Sequence, residues 1–303
     1  MTSSTRRAVI AIGSNSTRML TACADAALSS PVRGREETRL FLSLNGDKSF
    51  EKEARERLYA AVLALQESAR LTGAGEIKLI ATSAVRDSRD AILLKAELLE
   101  KTGLELIILS GEEEARCSYL GAVFPYLNGG TQGVIDIGGG STEIALGEGP
   151  EDALSLQLGA SRLYRLCPID QTADLQAAYA AVETELDRAL KPDFKHPDRW
   201  LMVGGTGVAL MGLLKGELIS EYHPKDEAFS LNEAEEVLNR LAPLTPPERA
   251  LLPGMTIGRE HILPTGLVIL TALMRRLSIN QMAVTVRNNC DGFLFDWYRR
   301  AQG

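Results

Sequence analysis

Between Asp136 and Glu143 the chain reads Asp-Ile-Gly-Gly-Gly-Ser-Thr-Glu, two carboxylates bracketing three glycines and two hydroxyls. Those residue types suit a phosphate. Successive glycines let the backbone turn tightly and aim its amides at an anion, and Ser141 and Thr142 add hydroxyl donors. A carboxylate beside phosphate is most useful on a hard divalent cation, which takes one or two carboxylates with phosphate oxygens and water. Asp136 and Glu143 are therefore the candidate ligands of Mg²⁺, the expected cofactor, and Gly138, Gly139, Gly140, Ser141 and Thr142 the candidate phosphate cradle. Read alone, the segment could also be a glycine-rich hairpin with no ligand.

A second copy argues for a site. Val9–Thr17 (VIAIGSNST) aligns without a gap with Val134–Thr142 (VIDIGGGST) at an offset of 125 (136 − 11). So long a period indicates two similar halves rather than a solenoid. Ser14 and Asn15 of the first turn join the candidate phosphate contacts, and Ala11 stands where the second copy has Asp136. Gly204-Gly205-Thr206-Gly207 is a third glycine-rich segment, equally readable alone as a turn or a site. Ser110–Arg116 (SGEEEAR) opens a helix with three acids that suit the positive end of its dipole. Since they follow a strand, one of them could also take a proton from water. Arg86, after another strand, offers a fork for phosphate oxygens.

The elements that must position these groups follow from periodicity. Val9–Ile12 and Gly133–Ile137 read as buried strands, each returning as a hairpin through Met19–Ala22 and Glu143–Leu146. Further strands are expected at Ile77–Ala81, Leu104–Leu109, Leu154–Leu158, Trp200–Val203 and Met282–Val286. Helices are expected at Phe50–Leu71, Ala91–Lys101 closed by Gly103, Glu112–Phe124, Ala173–Leu190, Val208–Leu214, Ser230–Leu241, Leu267–Leu277 and Asp291–Arg300. Pro125–Gly130 carries linker signals, and the prolines at 243–247 read as a loop. Alternating strands and helices with paired hairpin openings indicate α/β layers on mixed sheets.

At 303 residues the chain can hold two domains. Its net charge of −7 argues against a nucleic-acid footprint and against a basic membrane-binding surface. Cys23, Cys117, Cys167 and Cys290 form no paired motif and read as buried free thiols of a reducing compartment. No run approaches a membrane span and no signal peptide is evident, so a cytoplasmic protein is expected. His196, His223 and His261 lack ligand or triad spacing and read as structural. A homodimer is the default expectation for a soluble chain.

Together these motifs resemble the Ppx/GppA family of exopolyphosphatases and guanosine pentaphosphate phosphohydrolases, within the actin-like, sugar-kinase and Hsp70-type ATPase superfamily. The resemblance is most specific at SGEEEAR and DIGGGSTE, with support from Leu158–Leu163 and Val203–Thr206. It implies two duplicated actin-like (ribonuclease H-like) α/β domains, mixed sheets flanked by helices, with the active site in an interdomain cleft. Domain I would span 1–126, joined by the C-terminal helix 288–303, and domain II 127–287. Longer members carry a further C-terminal region of the HD type, and this chain looks like the short form. The resemblance further implies that Glu114 is the catalytic base and that Arg86, Ser14, Asn15 and Gly138–Thr142 hold the phosphate chain. Asp136 and Glu143 would position Mg²⁺ and water, with Gly204, Gly205 and Thr206 lining the far side. The substrate would be inorganic polyphosphate or pppGpp.

The departures are Ala11, where members usually have an acid, Thr38–Phe41 in place of a glycine- and glutamate-bearing stretch, and Arg287–Gly292 in place of a more basic segment. Ala11 keeps open a binding protein that senses polyphosphate or alarmone without turning it over. A kinase is disfavoured because no separate acceptor base stands out.

Overall fold

The computed structural model describes residues 6–23, 25, 27–124, 131–147, 153–190, 197–219 and 227–302. The linker expected at 125–130 and the loops around His196 and His223 lie outside them. The chain divides into two compact units, Met1–Tyr126 with Asn289–Gly303, and Leu127–Asn288.

In the first unit, β1 (Arg6–Ile12) pairs antiparallel with β2 (Thr17–Cys23), which pairs antiparallel with β3 (Val32–Glu36). Helix α1 (Lys52–Leu71) leads to β4 (Ala74–Ala81), parallel to β1, and the short α2 (Ser83–Arg86) and α3 (Ala91–Thr102) lead to β5 (Leu106–Ile108). Helix α4 (Gly111–Val123) closes the run, and the sheet order is β3-β2-β1-β4-β5. Side chains of β1 alternate between two cores, as a buried strand requires. Ala8, Ile10 and Ile12 pack with Leu58, Val62 and Leu65 of α1, whereas Val9 and Ala11 join Leu109 and Cys117 on the α4 side.

The second unit repeats the opening. Strands β6 (Gln132–Ile137), β7 (Thr142–Ala145) and β8 (Ala153–Leu156) form an antiparallel meander, followed by α5 (Ala160–Leu166), α6 (Asp174–Ala189) and β9 (Arg199–Val203), which is parallel to β6. Then come α7 (Gly205–Lys215), β10 (Ala228–Ser230), α8 (Leu231–Leu241), α9 (Pro246–Ala250), α10 (Leu263–Arg276) and β11 (Gln281–Val284), in the order β10-β11-β9-β6-β7-β8. Register preserves the repeat: Ala11 faces Arg18 and Asp136 faces Glu143, each pair 125 positions from its counterpart.

The last helix, α11 (Asn289–Arg300), belongs to the first unit and packs on α4. It is locked there by a fork from Arg33 to the buried Asp291, at 2.6 and 2.9 Å, so this acid serves the fold.

Several expectations shift. Strand β3 escapes the apolar pattern because it is an exposed edge rich in arginine. Helix α7 begins at Gly205, because Gly204 with φ +90° provides the cap, so two of the three glycines are first-turn residues. Pro246 opens α9 rather than lying in a loop, since proline suits the first helical turn. Helix α10 starts four residues early, at Leu263. The short α5 and β10 offered too few residues for a period. Of the four thiols only Cys117 and Cys290 are buried; Cys23 and Cys167 are half-buried.

A Cβ on Gly292 would lie 1.7 Å from the carbonyl oxygen of Cys117, so α11 needs glycine to approach α4. Gly292→Ala is expected to destabilise the chain by about 1–3 kcal/mol, read as a lower urea midpoint. Wild-type stability would show that this crossing is looser than described.

Candidate functional site

The candidate residues fall into two groups, one in each unit. In the first, the turn after β1 is closed by a hydrogen bond from Gly13 N to Ser16 O at 3.1 Å. Its carbonyls are committed, because Ser14 O accepts from Phe41 N at 2.9 Å and Asn15 O from Arg39 N at 2.8 Å. The divergent Thr38–Phe41 stretch thus braces the turn, with Arg39 held at φ +47°. The Ser14 hydroxyl lies 3.0 Å from that of Ser83. Asn15 donates its amide to Glu37 at 3.3 Å, and since a carboxylate can only accept, the buried Asn15 Oδ1 must face elsewhere; it has no partner among the described residues.

Helix α4 sorts its three acids. Ser110 caps the helix in a reciprocal box with Glu113, which leaves the Glu113 carboxylate on the Ser110 amide at 2.7 Å. Glu112 is exposed. Glu114 alone is buried, at 5% exposure, and its Oε2 accepts from Arg86 Nη1 at 2.9 Å. The same Nη1 donates to the Leu109 carbonyl at 2.9 Å. Arg86 ends α2 and is therefore delivered by β4, while Glu114 follows β5, the neighbouring strand. The other prong of the fork, Arg86 Nη2, is buried and has no partner among the described residues.

In the second unit Gly138 N donates to Ser141 O at 3.0 Å, the same closure 125 residues on. Here α5 holds the carbonyls: Ala160 N reaches Gly138 O at 2.9 Å, Ser161 N and Arg162 N reach Gly139 O at 2.8 and 2.9 Å, and Arg162 Nε reaches Gly140 O at 2.6 Å. The amides of Gly139 and Gly140 enter no hydrogen bond among the described residues. Asp136 and Glu143 are opposed across β6–β7, on the face opposite Ile135 and Ile144, and both are buried. Ser155, next in that lateral row, donates to Glu143 at 2.8 Å.

Gly204 follows β9 beside Asp136, where a Cβ would come within 2.7 Å of Asp136 Oδ1. Over Gly205 lies the buried guanidinium of Arg259, so close that a Cβ there would overlap it. Thr206 is fully buried, and its hydroxyl, like those of Ser141 and Ser161, has no partner among the described residues.

Arg259, Ser155 and Ser161 escaped sequence reasoning. Ser161 sits in the Leu158–Leu163 segment that supports the resemblance, but Arg259 lies in an irregular loop with no period to betray it. The Thr142 hydroxyl donates to Leu158 O at 2.5 Å and braces the turn. Cys117 and Cys290 are set aside as nucleophiles, because burial pushes both thiols up to about 12.

These bonds separate fold from function. Thr142→Val orphans a carbonyl and is expected to cost about 1–3 kcal/mol of stability. Ser141→Ala deletes a buried hydroxyl with no partner, so thermal unfolding without ligand should show no loss, with any effect confined to ligand binding. A destabilised Ser141→Ala chain would assign that hydroxyl to the fold.

The Ppx/GppA phosphatase family model matches residues 23–301. A guanosine-5'-triphosphate,3'-diphosphate pyrophosphatase of Pseudoalteromonas translucida (strain TAC 125) is 28% identical over 297 residues, 95% of this chain and 58% of that protein. One of Pseudoalteromonas atlantica (strain T6c / ATCC BAA-1087) is 27% identical over 88% of this chain and 53% of its own. The chain spans little more than half the length of these curated relatives. Among solved structures, an exopolyphosphatase-like protein superposes with TM-score 0.87 at 24% identity, covering 99% of each chain. The Aquifex aeolicus Ppx/GppA family member gives 0.80 at 19%, again covering 99% of each. Sharing so little sequence, these structures establish the fold, two actin-like α/β units with mixed sheets flanked by helices. Matched over more than nine-tenths of its length, the chain belongs to the Ppx/GppA phosphatase family.

Proposed function

We propose that this chain hydrolyses the terminal phosphoanhydride of inorganic polyphosphate or of a guanosine polyphosphate such as pppGpp. The observation that carries the reading is the Arg86 fork: one prong orients a buried carboxylate, and the other has no partner among the described residues. An unsatisfied guanidinium nitrogen inside a protein is costly, and a phosphate oxygen is its natural complement. In the first unit Arg86 and the Ser14 hydroxyl offer donors to a phosphate, and in the second the Gly139 and Gly140 amides and Ser141 offer donors of the same kind. Arg259 adds a fixed positive charge beside the first turn of α7.

Glu114 serves as the base. A water oxygen attacks the terminal phosphorus in line, its proton passes to Glu114, and the bond to the bridging oxygen breaks, leaving the shortened chain with the electron pair. Arg86 meets the charge that spreads over the phosphoryl oxygens.

Asp136 and Glu143 suit Mg²⁺, an oxygen-seeking ion that commonly uses two carboxylates and takes its remaining ligands from phosphate and water. Among the described residues no cluster of three or more His, Cys, Asp or Glu offers a richer cage. When bound, the ion would neutralise developing negative charge on the phosphates. No helix of the described residues is long and apolar enough to cross a membrane. Free thiols and the absence of disulfides among those residues fit a cytoplasmic setting.

Ala11 favours a second reading, a sensor that binds the same ligands without turnover, because its side chain sits with Leu109 and Cys117 in an apolar cluster. Phosphate release from polyphosphate and from pppGpp, with and without Mg²⁺, tests both. Release is expected to require the ion and to fall by about 10²–10⁴-fold in Glu114→Gln. Release that survives this substitution unchanged overturns the assignment of the base, and thermal stabilisation by either substrate without release establishes the sensor.

A further inference from the structure

The first unit contains a concavity that none of this chemistry uses. A cavity of about 510 Å³ opens between the β4–β5 edge, α4 and the last turns of α11. Its wall carries three cations, Lys78, Arg116 and Arg300, beside the rings of Phe293 and Trp297. Two positive groups lie over the Trp297 ring, the Lys78 ammonium 4.2 Å and the Arg7 guanidinium 4.6 Å from its centroid.

The acids do not balance these cations. Asp296 is shared, at 2.7 Å from Arg300 and 3.5 Å from Arg116. Glu113 is committed to capping α4. Lys78 forms no ion pair among the described residues, and the buried Arg116 Nε has no hydrogen-bond partner there. Burial, opposed by Glu76 and Asp296 and reinforced by Arg7 and Arg300, holds the Lys78 ammonium below its ordinary pKa. In a chain of net charge −7, this is a local positive excess on an apolar floor.

We propose that this cavity is a second ligand site, taking a small organic anion: a single phosphate ester or carboxylate carried on a flat apolar body. The charge pattern specifies the anion, and the leucine, isoleucine and aromatic lining specifies the body. The volume lies within the ~300–1,000 Å³ of small-molecule sites and is far larger than a bare ion needs. Glu113, Arg116, Cys117 and Leu120 line it from one stripe of α4, while Glu114 lies about 100° further round the same helix. Leu109, also in the wall, supplies the carbonyl that fixes Arg86.

The test uses the whole chain with Trp200→Phe, so that Trp297 is the sole indole reporter. Phenyl phosphate and benzoate are titrated separately to tell the two anion classes apart, with sodium phosphate as control. One organic probe is expected to give saturable quenching with Kd below about 1 mM, weakened about tenfold in Lys78→Met and unchanged in Glu114→Gln. Arg300→Gln, at a side chain 71% exposed and so harmless to folding, should also weaken binding and serves if Lys78→Met does not fold. No saturation by either organic probe, an equal response to sodium phosphate, or binding lost in Glu114→Gln but kept in Lys78→Met overturns the proposal. The last outcome would place the anion at Arg86 and Glu114 instead.

Discussion

A strand-ending turn can offer amides to an anion only when its carbonyls are satisfied elsewhere, and both copies of the repeat meet that condition. In the second unit the start of α5 and Arg162 hold the oxygens of Gly138, Gly139 and Gly140. In the first, Arg39 and Phe41 hold those of Asn15 and Ser14. The two braces come from different elements, yet they fix equivalent carbonyls. Backbone groups must be paired wherever they are buried, so fixing the oxygens on one side leaves the N–H groups facing the other. The glycines permit the turn; the bracing gives it a direction.

The Arg86–Glu114 pair obeys a second constraint. Burying an ion pair costs solvation that its own attraction seldom recovers, so such a pair is weak support for stability. Its presence at 19% side-chain exposure for Arg86 and 7% for Glu114 therefore calls for another reason. The helix capping explains how the cost is limited. The Glu113 side chain satisfies the Ser110 amide, and the Glu114 carboxylate sits in the first turn of α4, where the helix dipole favours negative charge. Leu109 O and Glu114 together engage one nitrogen of Arg86 and set the plane of the fork.

How far the sequence could be read follows from the same physics. Val9–Ile12 and Gly133–Ile137 are buried on both faces, so their apolar runs announced them, and the Ser110 cap announced α4 to within one residue. Choosing among Glu112, Glu113 and Glu114 was beyond composition, because the distinction rests on which carboxylate is diverted into the capping box. Strand β3 was hidden because an edge strand owes nothing to a core, and its Arg33 works instead through Asp291, 258 positions away. Arg259 was hidden for a related reason. What marks it is burial against Gly205, and a long-range contact from an irregular loop leaves no local periodicity.

The repeat also shows where backbone and chemistry part. Register puts Ala11 opposite Arg18 in one unit and Asp136 opposite Glu143 in the other. Two carboxylates directly opposed across antiparallel strands repel, and burial sharpens the repulsion, so an arrangement of this kind persists only with positive charge or a proton nearby. The first unit has removed that cost by losing one acid and carrying a cation at the other position. The second keeps both acids, buried to at least nine-tenths, with the Ser155 hydroxyl supporting one of them. Since the fold accommodates Ala11 opposite Arg18 at the same register, topology by itself does not require Asp136 and Glu143. Under the proposed function, this pair is the place for a divalent cation.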